Sequence, residues 1–305
     1  MTIREALTEG TASLTTAGIE TPGLDSSLLL AEVLNTSRSS LIAAGNDNIS
    51  DASAATFRQL IKRRQSGECT AYILGRKEFY GLEFTVNPSV LVPRPDTETL
   101  VELIGTRDWG LGTRGQPPRV LDLCTGSGAI AIALKHTMPE LEVWATDISA
   151  EALETAQKNA SHLLPPNSIR FFQGDLYDAL LPRPPTPDPR PPTPSSLCYL
   201  LPATCYLIVS NPPYVPSADL PSLPLEVRME PSLALDGGDD GLDVIRKIVA
   251  RASEFLCPGG ALLLEADPRQ MAAITDLYKE AGFSDIQTHA DLSGRERVIS
   301  GTSNK

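Results

Sequence analysis

The run Leu207-Ile208-Val209-Ser210-Asn211-Pro212-Pro213-Tyr214 ends an apolar stretch with an amide side chain, two prolines and an aromatic ring. Consecutive prolines remove backbone donors and fix φ, so the Asn211 side chain and the Pro212 carbonyl are held rigidly where the stretch ends. Both offer acceptor oxygens. If they accept the two N–H bonds of a planar amide or amino group, its lone pair is aimed outward, and positive charge developing on the nitrogen is stabilised. Tyr214 can stack on that planar group and add a cation–π contribution of ~0.5 to 2 kcal/mol. Asn211, Pro212 and Tyr214 are thus candidate catalytic residues for transfer of an electrophilic carbon, such as a sulfonium methyl, to nitrogen, with no strong base required.

A second run, Val120-Leu121-Asp122-Leu123-Cys124-Thr125-Gly126-Ser127-Gly128-Ala129-Ile130-Ala131, passes from an apolar strand through a glycine turn into a helix. Glycines let the backbone approach a ligand, and the free N–H groups of a helix start favour polar or anionic groups. Alone, this loop would fit a dinucleotide dehydrogenase equally well. Asp147 lies nineteen residues past Gly128 at the end of Val143-Trp144-Ala145-Thr146, where a carboxylate can accept both hydroxyls of a ribose. Gln173-Gly174-Asp175 ends the next apolar stretch; Asp175 can accept from an adenine amine while Leu176 packs on the ring. In series, the three read as adenosine recognition.

Elements that could position these residues follow from periodicity. Strands are expected at 119–123, 141–146, 168–173, 205–210 and 260–266, helices at 128–137, 149–160, 241–256 and 268–281, and a strand pair near 284–300. Such alternation implies a doubly wound α/β fold with a mostly parallel sheet, Rossmann-like, covered on both faces. Residues 1–70 read instead as a small helical domain, with helices capped by Thr2 and by Asp51 and another over 24–34. Residues 71–96 read as a β-hairpin linker, closed by a stiff turn in which Asp96 can cap a helix from about Thr97. The catalytic domain then spans 97–301, with a proline-rich insertion at 182–202. Eight prolines fall within the thirteen residues 182–194, which excludes helix and sheet there.

Composition narrows the function classes. The chain has 305 residues, 41% hydrophobic and 21% charged, and no apolar run approaches the ~18 residues of a membrane span. The net charge of −12 opposes direct nucleic-acid binding. Five scattered cysteines with no C-x-x-C pair and three isolated histidines support neither a disulfide scaffold, nor a metal site, nor a Ser-His-Asp hydrolase. The first residues run straight into helical periodicity, unlike a signal or transit sequence, so a cytoplasmic setting is expected, with the mitochondrion as the alternative compartment; a monomer is the expected oligomeric state.

At these residues the chain resembles the HemK-type N5-glutamine methyltransferases of peptide chain release factors. The resemblance spans nearly the whole length and includes Ala71-Tyr72-Ile73-Leu74-Gly75, Leu91-Val92-Pro93-Arg94-Pro95-Asp96-Thr97-Glu98, Glu230-Pro231, Gly237-Gly238, Asp240-Gly241-Leu242 and Gly294-Arg295-Glu296-Arg297-Val298. It implies a class I fold with S-adenosyl-L-methionine as cofactor, contacted by Cys124, Thr125, Gly126, Ser127, Gly128, Asp147, Asp175, Leu176 and Asn211. It also implies that Asn211, Pro212, Pro213 and Tyr214 bind the glutamine of a Gly-Gly-Gln motif, with the release factor as protein partner gripped in part by the helical domain. Cys124 stands where the family most often has glycine, and is expected to be tolerated with a negative φ. The alternative is an adenine N6-methyltransferase acting on DNA or RNA, since the motif suits any planar nitrogen; a silent cofactor-binding scaffold is a further rival, which would need neither Asn211 nor Tyr214. Deleting residues 183–196 is expected to change the unfolding free energy by less than ~1 kcal/mol in denaturant titration, because loop closure depends slowly on length.

Overall fold

The structure is a computed structural model that describes residues 1–107, 109, 117–181 and 205–304, so the insertion at 182–202 lies outside the described residues. Two units are present: Met1–Arg76 with Leu223–Met229, and Lys77–Ser222 with Glu230–Lys305.

In the first unit, α1 (Ile3–Thr16) begins with a capping box. The Thr2 hydroxyl accepts from Glu5 N at 3.2 Å and the Glu5 carboxylate accepts from Thr2 N at 2.8 Å. Gly10 lets α1 approach its neighbours, since a Cβ there would lie 2.6 Å from both Phe57 and Ser26. The helices α2 (Pro22–Val33), α3 (Arg38–Ala43) and α4 (Asp51–Gln65) complete the bundle. The cap of α4 is Ser50, not the expected Asp51: the Ser50 hydroxyl accepts from Ser53 N at 3.0 Å, and Asp51 takes the first turn, where its charge complements the helix dipole. Residues 71–74 are also corrected from β-like to helical. The helix α5 (Thr70–Leu74) is capped by the Cys69 thiol and ended by Gly75 at φ 73°. Five residues are too few to show a period, so their aromatic and β-branched content misleads.

Ala54, Phe57, Ile61 and Arg64 form the buried stripe of α4. Arg64 on that stripe donates to Asp25 of α2 at 2.7 Å, with the two side chains 4% and 7% exposed, and also pairs with Glu226 of α9 (Leu225–Arg228).

From the last residue of the first unit into the second, β1 (Arg76–Phe79) and β2 (Leu82–Thr85) form a two-stranded hairpin. Its central residues Tyr80 and Gly81 both have positive φ, 52° and 72°, as the twist of a two-residue hairpin demands. The helix α6 (Pro95–Thr106) starts two residues before the expected Thr97, with Pro95 in its first turn and Arg94 as the cap residue. Then come β3 (Arg119–Leu123), α7 (Ala129–Thr137), β4 (Glu142–Asp147), α8 (Ala150–Leu163), β5 (Ile169–Gln173), β6 (Cys205–Ser210), α10 (Asp243–Phe255), β7 (Leu256–Glu265), α11 (Met271–Glu280), β8 (Phe283–Ala290) and β9 (Glu296–Ser303).

The sheet order is β5-β4-β3-β6-β7-β9-β8, parallel except that β9 runs against β7 and β8. This is the doubly wound, mostly parallel sheet expected. Val120, Leu121, Leu123, Leu207, Ile208 and Val209 are wholly buried because apolar layers cover both faces. The chain winds outward from β3 to β5, then crosses back to β6 beside β3, so the connections diverge between β3 and β6. A crevice opens outside the carboxyl ends of strands at such a point. Replacing Asp25 with Ala should destabilise the protein by ~1 to 3 kcal/mol in urea unfolding, because Arg64 Nε loses its buried acceptor and the guanidinium keeps only the more exposed Glu226 as ion-pair partner; an unchanged stability would show the pair to be dispensable.

Candidate active site

The loop after β3 is built on left-handed backbone. Cys124, Gly126 and Gly128 have φ of 57°, 56° and 82°. The expected negative φ at Cys124 is therefore corrected: the chain must turn sharply off the strand there, and the family's usual glycine fits that conformation without strain. The loop is held from below by Asp122, fully buried, whose Oδ2 accepts from the Thr125 hydroxyl at 2.6 Å and from Ala131 N at 3.2 Å. Burial pushes the Asp122 carboxyl up to about 7 against those two bonds. It also pushes the Cys124 thiol far up, so the sulfur stays protonated at neutral pH. Gly128 is a packing residue: a Cβ there would lie 2.9 Å from Ile132 and 3.2 Å from Ala156. Asn159 ties the loop to the hairpin by donating to Ser127 O and Thr85 O.

Asp147 ends β4 and accepts from Gly126 N at 2.8 Å and Ser149 N at 2.9 Å. Burial raises its carboxyl, opposed by backbone N–H groups of Ser149, Gly126 and Ile148. The two bonds leave further lone pairs on the carboxylate, so it shapes the loop and still has acceptor capacity. Asp175 lies after β5, 3.6 Å from the Lys247 ammonium, and Leu176 follows it at φ 48°.

Asn211 follows β6 and donates from Nδ2 to the Thr97 hydroxyl of α6 at 3.0 Å. Pro212 and Pro213 are buried. The Tyr214 hydroxyl meets Glu265 Oε1 at 3.5 Å, and its ring packs against the apolar layer. The chain beyond is clamped by the glycine-rich segment: Val215 N donates to Leu235 O, Gly237 N to Val215 O, and Gln270 Nε2 to Tyr214 O at 2.9 Å. Gly241 is required there, because a Cβ would sit 2.2 Å from Tyr214 O. Glu230 anchors the 91–94 turn, accepting from Val92 N at 3.1 Å and pairing with Arg94.

These elements enclose a cavity of about 480 Å³. Cys124, Thr125, Gly126, Ser127, Asp147, Asp175, Leu176, Asn211 and Pro213 line it; Gly128, Pro212 and Tyr214 do not. Sequence reasoning missed Ser89, Arg94, Thr97, Glu151 and Lys247 on its wall. Thr97 left a signal: it falls on the buried stripe of α6 with Leu100, Val101 and Ile104, a polar residue among apolar ones.

Comparison with known proteins places the chain in a family. The PrmC N-terminal domain family matches residues 5–75 and the Methyltransferase domain family residues 120–187. The release factor glutamine methyltransferases of Deinococcus radiodurans and Moorella thermoacetica are each 39% identical to the chain, over 98% of it and 98% of their own length. The chain belongs to the release factor glutamine methyltransferase family. Its relative from Burkholderia pseudomallei is 40% identical over 91% of both chains. The solved hMettl16 catalytic domain in complex with MAT2A 3'UTR hairpin 1 superposes with a TM-score of 0.54 at 14% identity, covering 86% of this chain and 84% of that one, which shows a shared fold.

As a member of this family the chain is a methyltransferase with S-adenosylmethionine as methyl donor. The residues fit that group. The cavity has the volume of a small-molecule site, an acidic residue ends each of β4 and the β5 turn, and a Cβ on Gly126 would meet no protein atom within 4 Å. Among the described residues no helix is long and apolar enough to cross a membrane. Cys124→Gly should raise stability by up to ~1 kcal/mol in denaturant unfolding, relief of left-handed strain being partly offset by glycine's entropy in the unfolded chain. Cofactor affinity should stay within about threefold, ~0.6 kcal/mol by calorimetry; a destabilised Gly variant would show that the thiol, not the backbone, is what the site needs.

Proposed function

We propose that this enzyme transfers the methyl group of S-adenosylmethionine to the side-chain amide nitrogen (N5) of the glutamine in the Gly-Gly-Gln motif of a peptide chain release factor. The observation that carries the proposal is Asn211, which stands on the wall of the cavity that Gly126 and Asp147 also line, with its Nδ2 already taken by Thr97. Its Oδ1 is thereby left as the acceptor that a substrate –NH2 needs. The names of the relatives support glutamine as the substrate, and bacterial relatives support a cytoplasmic setting.

The cofactor supplies an electrophilic methyl carbon. In this reading Asp147, Asp175 and Leu176 would hold the adenosine, and residues 124–127 would hold the remainder. Asn211 Oδ1 accepts one amide N–H bond of the glutamine and the carbonyl of the adjoining Pro212, itself off the cavity wall, accepts the other, which turns the weakly nucleophilic nitrogen toward the methyl group and stabilises the charge that grows on it until the nitrogen releases one proton to solvent. Pro213 forms the wall beside the amide. Tyr214, off the cavity wall and turned to Glu265, braces the motif.

The test is mass spectrometry of a release factor incubated with the enzyme and methyl-labelled cofactor. One added methyl is expected on the Gly-Gly-Gln glutamine, and Asn211→Ala should lower the rate by ~10² to 10³ while cofactor affinity is largely kept. Label on another residue, or on nucleic acid instead, would overturn the substrate; near-normal turnover of the Asn211 variant would overturn the mechanism.

A further inference from the structure

Behind Asn211 lies a buried carboxylate that the chemistry above leaves unused. Glu265, the last residue of β7, is 1% exposed. Its Oε1 meets the Tyr214 hydroxyl, and its Oε2 is buried without a hydrogen-bond partner among the described residues. The Thr97 hydroxyl, 4% exposed, faces the Glu265 carboxylate from α6, where donating its proton would favour the charged form, and it accepts from Asn211 Nδ2 at 3.0 Å. Thr97 therefore stands between the carboxylate and the amide.

A hydroxyl has one proton and two lone pairs. When its proton is drawn to a carboxylate, only lone pairs remain for Asn211, and only the –NH2 end of the Asn211 amide can meet them. Oδ1 is then fixed toward the cavity. A flipped amide would present –NH2 to the –NH2 of the substrate, donor against donor.

We propose that Glu265 and Thr97 are positioning residues: ionised Glu265 orients the Thr97 hydroxyl, which fixes the Asn211 amide with its oxygen toward the substrate. The proposal rests on the glutamine-methylation reading and deepens it. Protonated Glu265 reverses the polarity of the chain, since its O–H donates to Thr97, the Thr97 proton turns to Asn211 Oδ1, and –NH2 faces the cavity. The groups facing Glu265 are Tyr214 after β6, Thr97 and Asp96 on α6, and Arg297 on β9. Burial outweighs the help of Thr97 and Arg297 and pushes its carboxyl up to about 7. The active form is the base, so kcat should fall as pH drops below about 7. Asp122 titrates in the same range, but it holds the cofactor loop, and its protonation should act on cofactor affinity.

The experiment measures kcat and KM on the release factor, with cofactor affinity by calorimetry, for the full-length wild type, Thr97→Val, Thr97→Ser and Glu265→Gln across roughly two units either side of neutrality. Thr97→Val should lose on the order of 10- to 100-fold in kcat with cofactor affinity within about threefold. Thr97→Ser, which keeps the hydroxyl, should recover most of that loss. The wild-type decline in kcat at low pH should be absent from both Thr97→Val and Glu265→Gln. A Thr97→Val enzyme with wild-type kcat, or a Glu265→Gln enzyme with the wild-type pH profile, overturns the proposal and leaves the methyltransferase reading standing. If Glu265→Gln does not bind cofactor, the valine and serine variants decide. A wild type that leaves the release-factor glutamine unmodified overturns that reading and this inference with it.

Discussion

The site depends on the pairing of β3 with β6 at the centre of the sheet. Their side-by-side register runs from Val120 opposite Leu207 to Leu123 opposite Ser210, and the Ser210 hydroxyl donates to Leu123 O at 2.6 Å where both strands end. The two loops that leave the sheet there carry the cofactor turn and the Asn211 motif. Methyl transfer needs reacting atoms about 3 to 3.5 Å apart, and a register slip of one residue moves a strand end by about 3.3 Å. One slipped pair would remove the reaction geometry while leaving every residue of the motif in place.

The two loops are stiffened by opposite means. After β3 the backbone enters left-handed space at Cys124, Gly126 and Gly128, which turns it sharply and leaves open space at Gly126 for a ligand to approach. After β6 two prolines fix φ, and the chain beyond them is gripped by the 235–241 segment and Gln270. The clearance of Gly241 from Tyr214 O leaves no room for a side chain. The glycines of 237–241 thus serve the substrate motif, although they lie some 25 residues from it in sequence.

Much of this was legible because fully buried parallel strands leave unbroken apolar runs, and each run here ends in a residue type that a ligand site needs. The doubly wound fold, the loop and the motif follow from that pattern. What stayed hidden is either too short for a period, as with α3 and α5, or held by contacts between distant residues. Thr97 shows only as a polar residue on the apolar stripe of α6, which names no partner, and Glu265 as an ordinary strand end, until folding brings both behind Asn211. Leu223–Met229, with Glu226 paired to Arg64, joins the helical unit from beyond the catalytic motif, and no local pattern announces such a return. The positive φ of Cys124 was hidden because its cause is the turn angle, which the side chain does not encode.

Asp122 and Glu265 share a design that explains their persistence in so apolar a setting. Each is buried beneath a threonine whose hydroxyl it influences, Thr125 in the cofactor loop and Thr97 behind Asn211. Each is pushed by burial up to about 7. A folded-state value raised above the unfolded one contributes stability that is full below the unfolded pKa and is lost as pH rises through about 7. With Glu265 active as the base, the pH range that favours transfer is the range in which these two groups hold the fold least firmly. A core chosen for stability alone would replace both with apolar residues of similar volume. Their presence beside the two loops that must be aimed, Asp122 under one and Glu265 behind the other, ties their stability cost to orientation, which apolar packing cannot supply because it does not distinguish the oxygen of an amide from its nitrogen.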